Sequence, residues 1–120
     1  MPFDDRNDVH PYARLTPDLV QDALETLGLW GDGRLTSLNS FENRVYQVGL
    51  DEPVEGHSQV VLKFYRPGRW TQEQILEEHT FSAELLAAEV PVVAPLTIRG
   101  QTLHEHAGFQ FSVSHRRGGR

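Results

Sequence analysis

The sequence predicts an α+β domain in which a twisted sheet of about five antiparallel strands carries one packed helix and a second helix lies near the N terminus. Three observations support this class. Apolar residues recur at helical spacing in two separate stretches, three segments rich in β-branched and aromatic residues lie between them, and shorter strand-like segments with turn glycines follow. A chain of 120 residues is long enough for one domain with one core.

The first helix is predicted to begin after Thr16. Threonine is a favourable N-cap, Pro17 suits the first helical position, and the apolar residues of DLVQDALETLG keep helical spacing until Gly28. The preceding residues are acidic and lack the apolar region of a secretory signal. We therefore interpret 1–15 as a flexible lead-in and expect a cytoplasmic protein.

Three strands are predicted next, as an antiparallel meander. The segments RLTSLNS and RVYQVGL flank a tight turn, and QVVLKFY follows after the polar loop DEPVEGHS. The first turn contains no glycine, and the hydrogen-bonding residues Asn39, Ser40, Glu42 and Asn43 fill it instead. Taken alone, this pattern is typical of an ordinary polar turn.

A second helix is predicted from Thr71 to about Ala88. Thr71 and Gln74 have the spacing of a capping box, and Pro91 prevents the helix from continuing into VPVVAP. The segment LTIRGQTLHEHAGFQFSVS then predicts two or three short strands, with turns at Gly100 and Gly108.

Composition excludes several classes of protein. No apolar run approaches the roughly 18 residues of a membrane span, and the net charge of −6 argues against a nucleic-acid partner. The absence of cysteine excludes disulfides and thiolate metal sites. His104 and His106 share a strand face but lack a third ligand, so we assign no metal site. We expect a monomer with no nucleic-acid and no membrane partner.

Lys63 is the only lysine among eleven basic residues. The two-residue period of a strand places Val61 and Lys63 on one face of VVLKF. The opposite face carries only apolar residues, Val60, Leu62 and Phe64. A single ammonium group thus projects from an otherwise apolar strand, although a strand lysine that merely reaches water would show the same pattern.

Glu78 is the predicted partner of Lys63. At about 100° per residue, Glu78 falls within the apolar arc of the second helix. The members of that arc are Ile75, Phe81, Leu85 and Leu86. A carboxylate on a core face is costly unless it is paired, so we expect a partly buried ion pair with Lys63. The alternative is that Glu78 lies in water at the edge of the helix.

These features together resemble the N-terminal lobe of the protein-kinase-like fold. VVLK matches the V-A-I-K motif of protein kinases. More narrowly, LNSFENRVYQ, KFYRPGRW, QILEEHTF and EVPVVAP are similar to the bacterial stress response kinase A family, within the aminoglycoside phosphotransferase and choline kinase superfamily. The similarity covers residues 16–119.

The resemblance implies an ATP site. It places Val61 under the adenine, assigns the α- and β-phosphates to Lys63, and pairs Lys63 with Glu78.

Aligning Val45 with the valine that follows the kinase glycine-rich loop puts Ser40 and Asn43 where that loop has two of its glycines. The loop is then polar. Its backbone amides and the Ser40 hydroxyl would donate hydrogen bonds to phosphate oxygens.

The resemblance further implies that the complete enzyme transfers the γ-phosphate of ATP, with Mg²⁺, to serine or threonine of a protein substrate in a stress response. All seven aspartates lie at or before Asp51, so no catalytic base and no aspartate ligand for magnesium follows the lysine. We expect no catalytic residue in this chain and no activity from it alone. Residues 16–113 would form the small lobe, and 114–120 a hinge stub to an absent catalytic lobe.

Two other functions are compatible with the sequence. One is a free-standing α+β interaction or regulatory module that uses the sheet without nucleotide. The other is the small lobe of a small-molecule kinase of the aminoglycoside or choline type, which would share every site residue named above.

Overall fold

The computed structural model describes Tyr12 and residues 15–38, 43–90 and 93–115. The elements in chain order are α1 (Pro17–Glu25), β1 (Gly31–Leu38), β2 (Arg44–Val54), β3 (His57–Phe64), α2 (Gln72–Ala87), β4 (His104–His106) and β5 (Phe109–His115). The predicted α+β class, the five antiparallel strands and the two helices are confirmed.

The five strands form one sheet in the order β1-β2-β3-β5-β4. The first three strands are the predicted meander, and β5 pairs with the free edge of β3 after the chain has passed through α2. Where β2 pairs with β3, Val45 lies opposite Lys63. Where β3 pairs with β5, Phe64 lies opposite Phe111. The strand that carries Lys63 is therefore the central one.

Two of the hairpins turn at a glycine. Glu55 and Gly56 join β2 to β3 with φ of 52° and 83°, and Ala107 and Gly108 join β4 to β5 with φ of 55° and 89°. Positive φ at both central residues is typical of the type I′ turn, whose twist matches that of antiparallel strands. The predicted turn at Gly108 is confirmed, but the predicted loop DEPVEGHS is mostly strand, because a two-residue turn suffices to pair Val54 with His57.

One face of the sheet packs against α1 and forms the larger core. Thr16 caps this helix by accepting a hydrogen bond from the Leu19 amide at 3.2 Å, as expected of an N-cap. Residues that are less than one-tenth exposed line the interface, and they include Val20, Ala23, Leu24, Val48, Val60, Leu62, Phe64, Phe111 and Val113. Tyr12 closes one end, where its hydroxyl donates to the Phe64 carbonyl at 2.8 Å.

The opposite face carries α2. The capping box is confirmed, because the Thr71 hydroxyl accepts from the Gln74 amide at 3.0 Å while the Gln74 side chain accepts from the Thr71 amide at 2.9 Å. A small cluster of Tyr65, Ile75 and Leu103, with Trp70 at its edge, joins the start of the helix to the sheet. None of the described helices is both long and apolar enough to cross a membrane.

The last strand continues further than the predicted lobe boundary. Ser114 and His115, the first two residues of the expected stub, pair with Val61 and Val60 as part of β5. His115 is also fixed from the side, since its Nε2 lies 3.0 Å from the Glu55 carboxylate and its ring stacks on His57 at 3.8 Å.

Candidate functional site

The central strand divides its side chains between the two faces as predicted. Val60, Leu62 and Phe64 are fully buried toward α1, whereas Val61 and Lys63 are partly exposed on the face that carries α2. Because β2 is antiparallel and in register with β3, Val45 stands beside Lys63 on that same face. Three of the predicted site residues are therefore brought together by strand pairing alone.

A cleft of about 210 Å³ opens between this sheet face and α2. Val45 and Val61 supply apolar surface, Lys63 borders the cleft from the strand, and Glu78 borders it from the helix. Ligand sites usually measure about 300–1,000 Å³, so this cleft alone is smaller than a usual ligand site.

A second cleft of about 230 Å³ adjoins the first and shares Lys63, Tyr65 and Glu78 with it. It contains Asn43, the residue that ends the polar turn. The Asn43 side-chain oxygen accepts a hydrogen bond from the Arg66 amide at 3.2 Å, which ties the start of β2 to the end of β3. Five of the six predicted residues thus surround two adjoining clefts, and the sixth, Ser40, lies outside the described residues.

The predicted ion pair between Lys63 and Glu78 is wrong. Glu78 is exposed, and within the described part of the chain no carboxylate lies within 4 Å of the Lys63 ammonium group. The ammonium group instead lies 5.2 Å from the centre of the Tyr65 ring, in reach of a cation–π interaction. Lys63 and Glu78 share the rim of the clefts without touching.

The predicted apolar arc of α2 is also partly wrong. Ile75 and His79 are the buried residues of this helix, whereas Phe81 is 59% exposed and Leu86 is 49% exposed. The helix is therefore rotated relative to the prediction, so that Glu78 faces the opening of the cleft and not the core. The physical reason is that His79, a polar residue, finds hydrogen-bond partners just after β3 and just before β4, and so occupies a core position.

Those partners form a network that the sequence prediction missed. His79 Nε2 lies 2.8 Å from the Tyr65 hydroxyl, and His79 Nδ1 lies 2.8 Å from the Thr102 hydroxyl. The Tyr65 hydroxyl is also 3.2 Å from Ser112 Oγ on β5. The sequence contains one signal for this network, the alternation of side chains along a strand. Tyr65 follows Lys63 by two residues, and Ser112 lies between the apolar residues Phe111 and Val113.

Burial keeps the network uncharged. Desolvation raises the pKa of Tyr65 to about 12, partly offset by its hydrogen bond to Ser112. Desolvation lowers the pKa of His79 below its ordinary value, against the opposing effect of the nearby Glu78 carboxylate. Near pH 7 the cleft is therefore bordered by one cation, Lys63, and one carboxylate, Glu78, among neutral hydroxyl, imidazole and apolar groups.

This arrangement is suited to a ligand that combines a flat apolar part with an anionic part. The valine side chains can contact a ring, and the ammonium group can contact phosphate oxygens. The described residues contain no group of three histidine, aspartate or glutamate side chains placed to hold a metal ion.

Comparison with known proteins identifies the family to which the chain belongs. A model of the phosphotransferase enzyme family matches residues 34–120, which include every residue of both clefts. The chain belongs to the phosphotransferase enzyme family, and its sheet and α2 are part of a protein-kinase-like fold.

The chain is also similar to individual proteins of known name. The chain is 49% identical over 114 residues to Stress response kinase A of Shigella flexneri and of Escherichia coli (strain K12). It is 47% identical over 109 residues to Serine/threonine protein kinase RdoA of Salmonella typhimurium. These matches cover 95% and 91% of the chain but only 34% and 32% of the relatives, so the chain spans about a third of their length.

Proposed function

We propose that this chain is the nucleotide-binding small lobe of a stress-response serine/threonine protein kinase. One observation carries the proposal: the only lysine of the chain projects from the central strand into a cleft whose other strand residues are apolar or neutral. An ammonium group at the end of an apolar surface fits a nucleotide, because the base is flat and the phosphates are anionic.

The residues take distinct roles in this proposal. Val45 and Val61 contact the adenine ring, and Lys63 binds the α- and β-phosphates. Glu78 lies on the helix that faces Lys63 and orients the ammonium group once the nucleotide is bound. Asn43 holds the end of the polar turn, so that Ser40 and the turn amides can donate hydrogen bonds to phosphate oxygens.

Magnesium is part of the proposed reaction of the complete enzyme, but the described residues do not fit it. Mg²⁺ is usually held by one or two carboxylates together with phosphates and water, and the clefts offer the single carboxylate of Glu78. We assign no magnesium ligand and no catalytic residue within this chain. They would belong to the remaining two-thirds of a protein of the relatives' length.

We propose a protein acceptor because one relative is named as a serine/threonine protein kinase. The described residues themselves would serve a small-molecule kinase equally well, since none of them contacts an acceptor in this proposal. A cytoplasmic monomer is the proposed form. The net charge of −6 supports the absence of a nucleic-acid partner.

Equilibrium binding of ATP to the purified chain tests the proposal, with and without Mg²⁺. Lys63→Met should weaken binding about tenfold or more, because hydrogen bonds to a charged group contribute about 1.5–3 kcal/mol. Arg34→Met is the matched control, since it removes an exposed cation from β1, away from both clefts. Equal losses in the two variants, or no binding to the unaltered chain at millimolar ATP, would show that the proposal is wrong.

A further inference from the structure

The helix that carries Glu78 is attached to the sheet by few side chains. Of the residues of α2, only Ile75 and His79 are buried. Ile75 packs near the start of the helix, against Tyr65 and Leu103. His79, one turn further on, is the last buried residue, and beyond it Ser82 and Leu85 are only partly covered. The attachment of the middle of the helix therefore depends on His79.

His79 is held by hydrogen bonds to two different parts of the sheet region. Its Nε2 is bonded to the Tyr65 hydroxyl, at the end of β3, and its Nδ1 to Thr102, just before β4. The Tyr65 hydroxyl in turn reaches Ser112 on β5. Tyr65, His79 and Ser112 are each no more than 5% exposed, so water cannot readily replace a lost partner.

The same residues touch both charged groups of the site. His79 is the neighbour of Glu78 in the helix, and the Tyr65 ring lies beneath the Lys63 ammonium group at 5.2 Å. We propose that Tyr65 and His79 are positioning residues whose hydrogen bond sets the place of Glu78 relative to Lys63. The inference rests on the proposed nucleotide site for its functional meaning, whereas its structural part can be tested without nucleotide.

Tyr65→Phe removes the hydroxyl, and with it the hydrogen bonds to His79 and to Ser112. It keeps the ring, so that the contact with Lys63 and the packing on Ile75 remain. Tyr46→Phe is the matched control, because Tyr46 is a buried tyrosine on the opposite face of the sheet and its hydroxyl makes no hydrogen bond to a described residue. A general loss of core polarity would affect both variants, whereas loss of the positioning bond affects only the first.

The absence of cysteine allows a direct measurement of helix position. Spin labels at Glu52→Cys on β2 and Glu84→Cys on α2, both exposed sites, report the distance between sheet and helix by double electron–electron resonance. Tyr65→Phe should broaden or shift the distance distribution, and Tyr46→Phe should leave it unchanged. His79→Gln, which keeps one acceptor and one donor, should restore more of the narrow distribution than His79→Phe. An unchanged distribution in Tyr65→Phe and in His79→Phe would overturn the inference.

Nucleotide affinity provides the second readout. Tyr65→Phe should weaken ATP binding about threefold to tenfold, the range expected for one hydrogen bond. In a Glu78→Gln background the same change should have less than about a twofold effect, because the hydroxyl acts through Glu78. An equal effect in both backgrounds would contradict positioning. If the unaltered chain binds no ATP, the proposed function fails, and the distance measurement still decides whether the bond positions the helix.

Discussion

Val45 on β2 lies directly opposite Lys63 on β3, with both side chains on the face that carries α2. This pairing places an apolar side chain beside Lys63, the only lysine of the chain. Cross-strand neighbours in an antiparallel sheet are about 4.5–5.5 Å apart at Cβ, so the two groups form a continuous surface. The geometry of the cleft thus follows from the register of one hairpin.

The separation of Lys63 and Glu78 leads to a prediction about stability. Because Glu78 is exposed and makes no ion pair with Lys63, Glu78→Gln should change the free energy of unfolding by less than about 0.5 kcal/mol. Lys63→Met and Glu78→Gln should add within about 0.5 kcal/mol in the double variant. Denaturant melts of the four proteins measure this. A loss of about 3 kcal/mol in either single variant, recovered in the double, would indicate a buried pair.

The two histidines that are buried among the described residues predict an acid-sensitive fold. Desolvation lowers the pKa of His79 and of His104 below the ordinary value of 6.5. The unfolded chain therefore takes up protons first, so the stability that these residues contribute is present above pH 6.5 and is lost as pH falls through their lower folded pKa values. Melts at intervals between pH 7.5 and about 5 should show this slope.

His79→Gln combined with His104→Leu is the comparison for that slope. The double variant should lose stability less steeply with falling pH, because neither replacement titrates in this range. His104 Nε2 is buried and has no hydrogen-bond partner among the described residues, so His104→Leu alone should be neutral or stabilising by about 1 kcal/mol at pH 7.5. The same slope in wild type and double variant would assign the acid sensitivity to the carboxylates.

The turn between β4 and β5 predicts a stabilising substitution. Ala107 has a φ of 55°, a left-handed conformation that asparagine tolerates better than alanine. Ala107→Asn should raise the free energy of unfolding by roughly 0.5–1 kcal/mol. Ala83→Asn, at an exposed position of α2, should instead lower it, since asparagine is a poorer helix former. If both substitutions destabilise equally, the turn conformation is not the type I′ described above.

Helix α1 is predicted to be an integral part of the domain. Leu24 is fully buried against the sheet, so Leu24→Ala should lower the free energy of unfolding by about 2–4 kcal/mol. Leu76→Ala is the matched control in the other helix, where the side chain is 37% exposed, and it should cost well under half as much. Similar costs in the two variants would mean that α1 is only loosely attached.

Much of the fold was accessible from the sequence because its signals are local. The cap at Thr16, the capping box of Thr71 and Gln74, and the alternation around Lys63 each depend on neighbouring residues, and each is confirmed. The rotation of α2 was not accessible in this way. It depends on His79 finding the Tyr65 and Thr102 hydroxyls, which are distant in sequence, and a helical wheel scores histidine as a surface residue.

The same difference between local signals and contacts distant in sequence explains which residues of the site could be predicted. Alternation along β3 placed Val61 and Lys63 on one face, and the pairing of β2 with β3 puts Val45 beside Lys63. The helical wheel placed Glu78 too deeply, because Phe81 and Leu86 were counted as core residues although both are largely exposed. Ser112 enters the site only through the pairing of β3 with β5, which sets it opposite Lys63. A sequence pattern identifies the face of a strand, but the partner of that face is set by topology.

Backbone amide shifts of the ¹⁵N-labelled chain during titration with ATP test whether this sheet face binds nucleotide. If it does, the largest and saturable shifts should occur at Val45, Val61 and Lys63, with smaller ones at Ser112, and Lys63→Met should move the whole curve to higher ATP concentration. The exposed Trp30, in a separate groove beside Asp51, should not respond. Shifts centred on Trp30, or none along β2 and β3, would contradict the assignment of this sheet face as the nucleotide site.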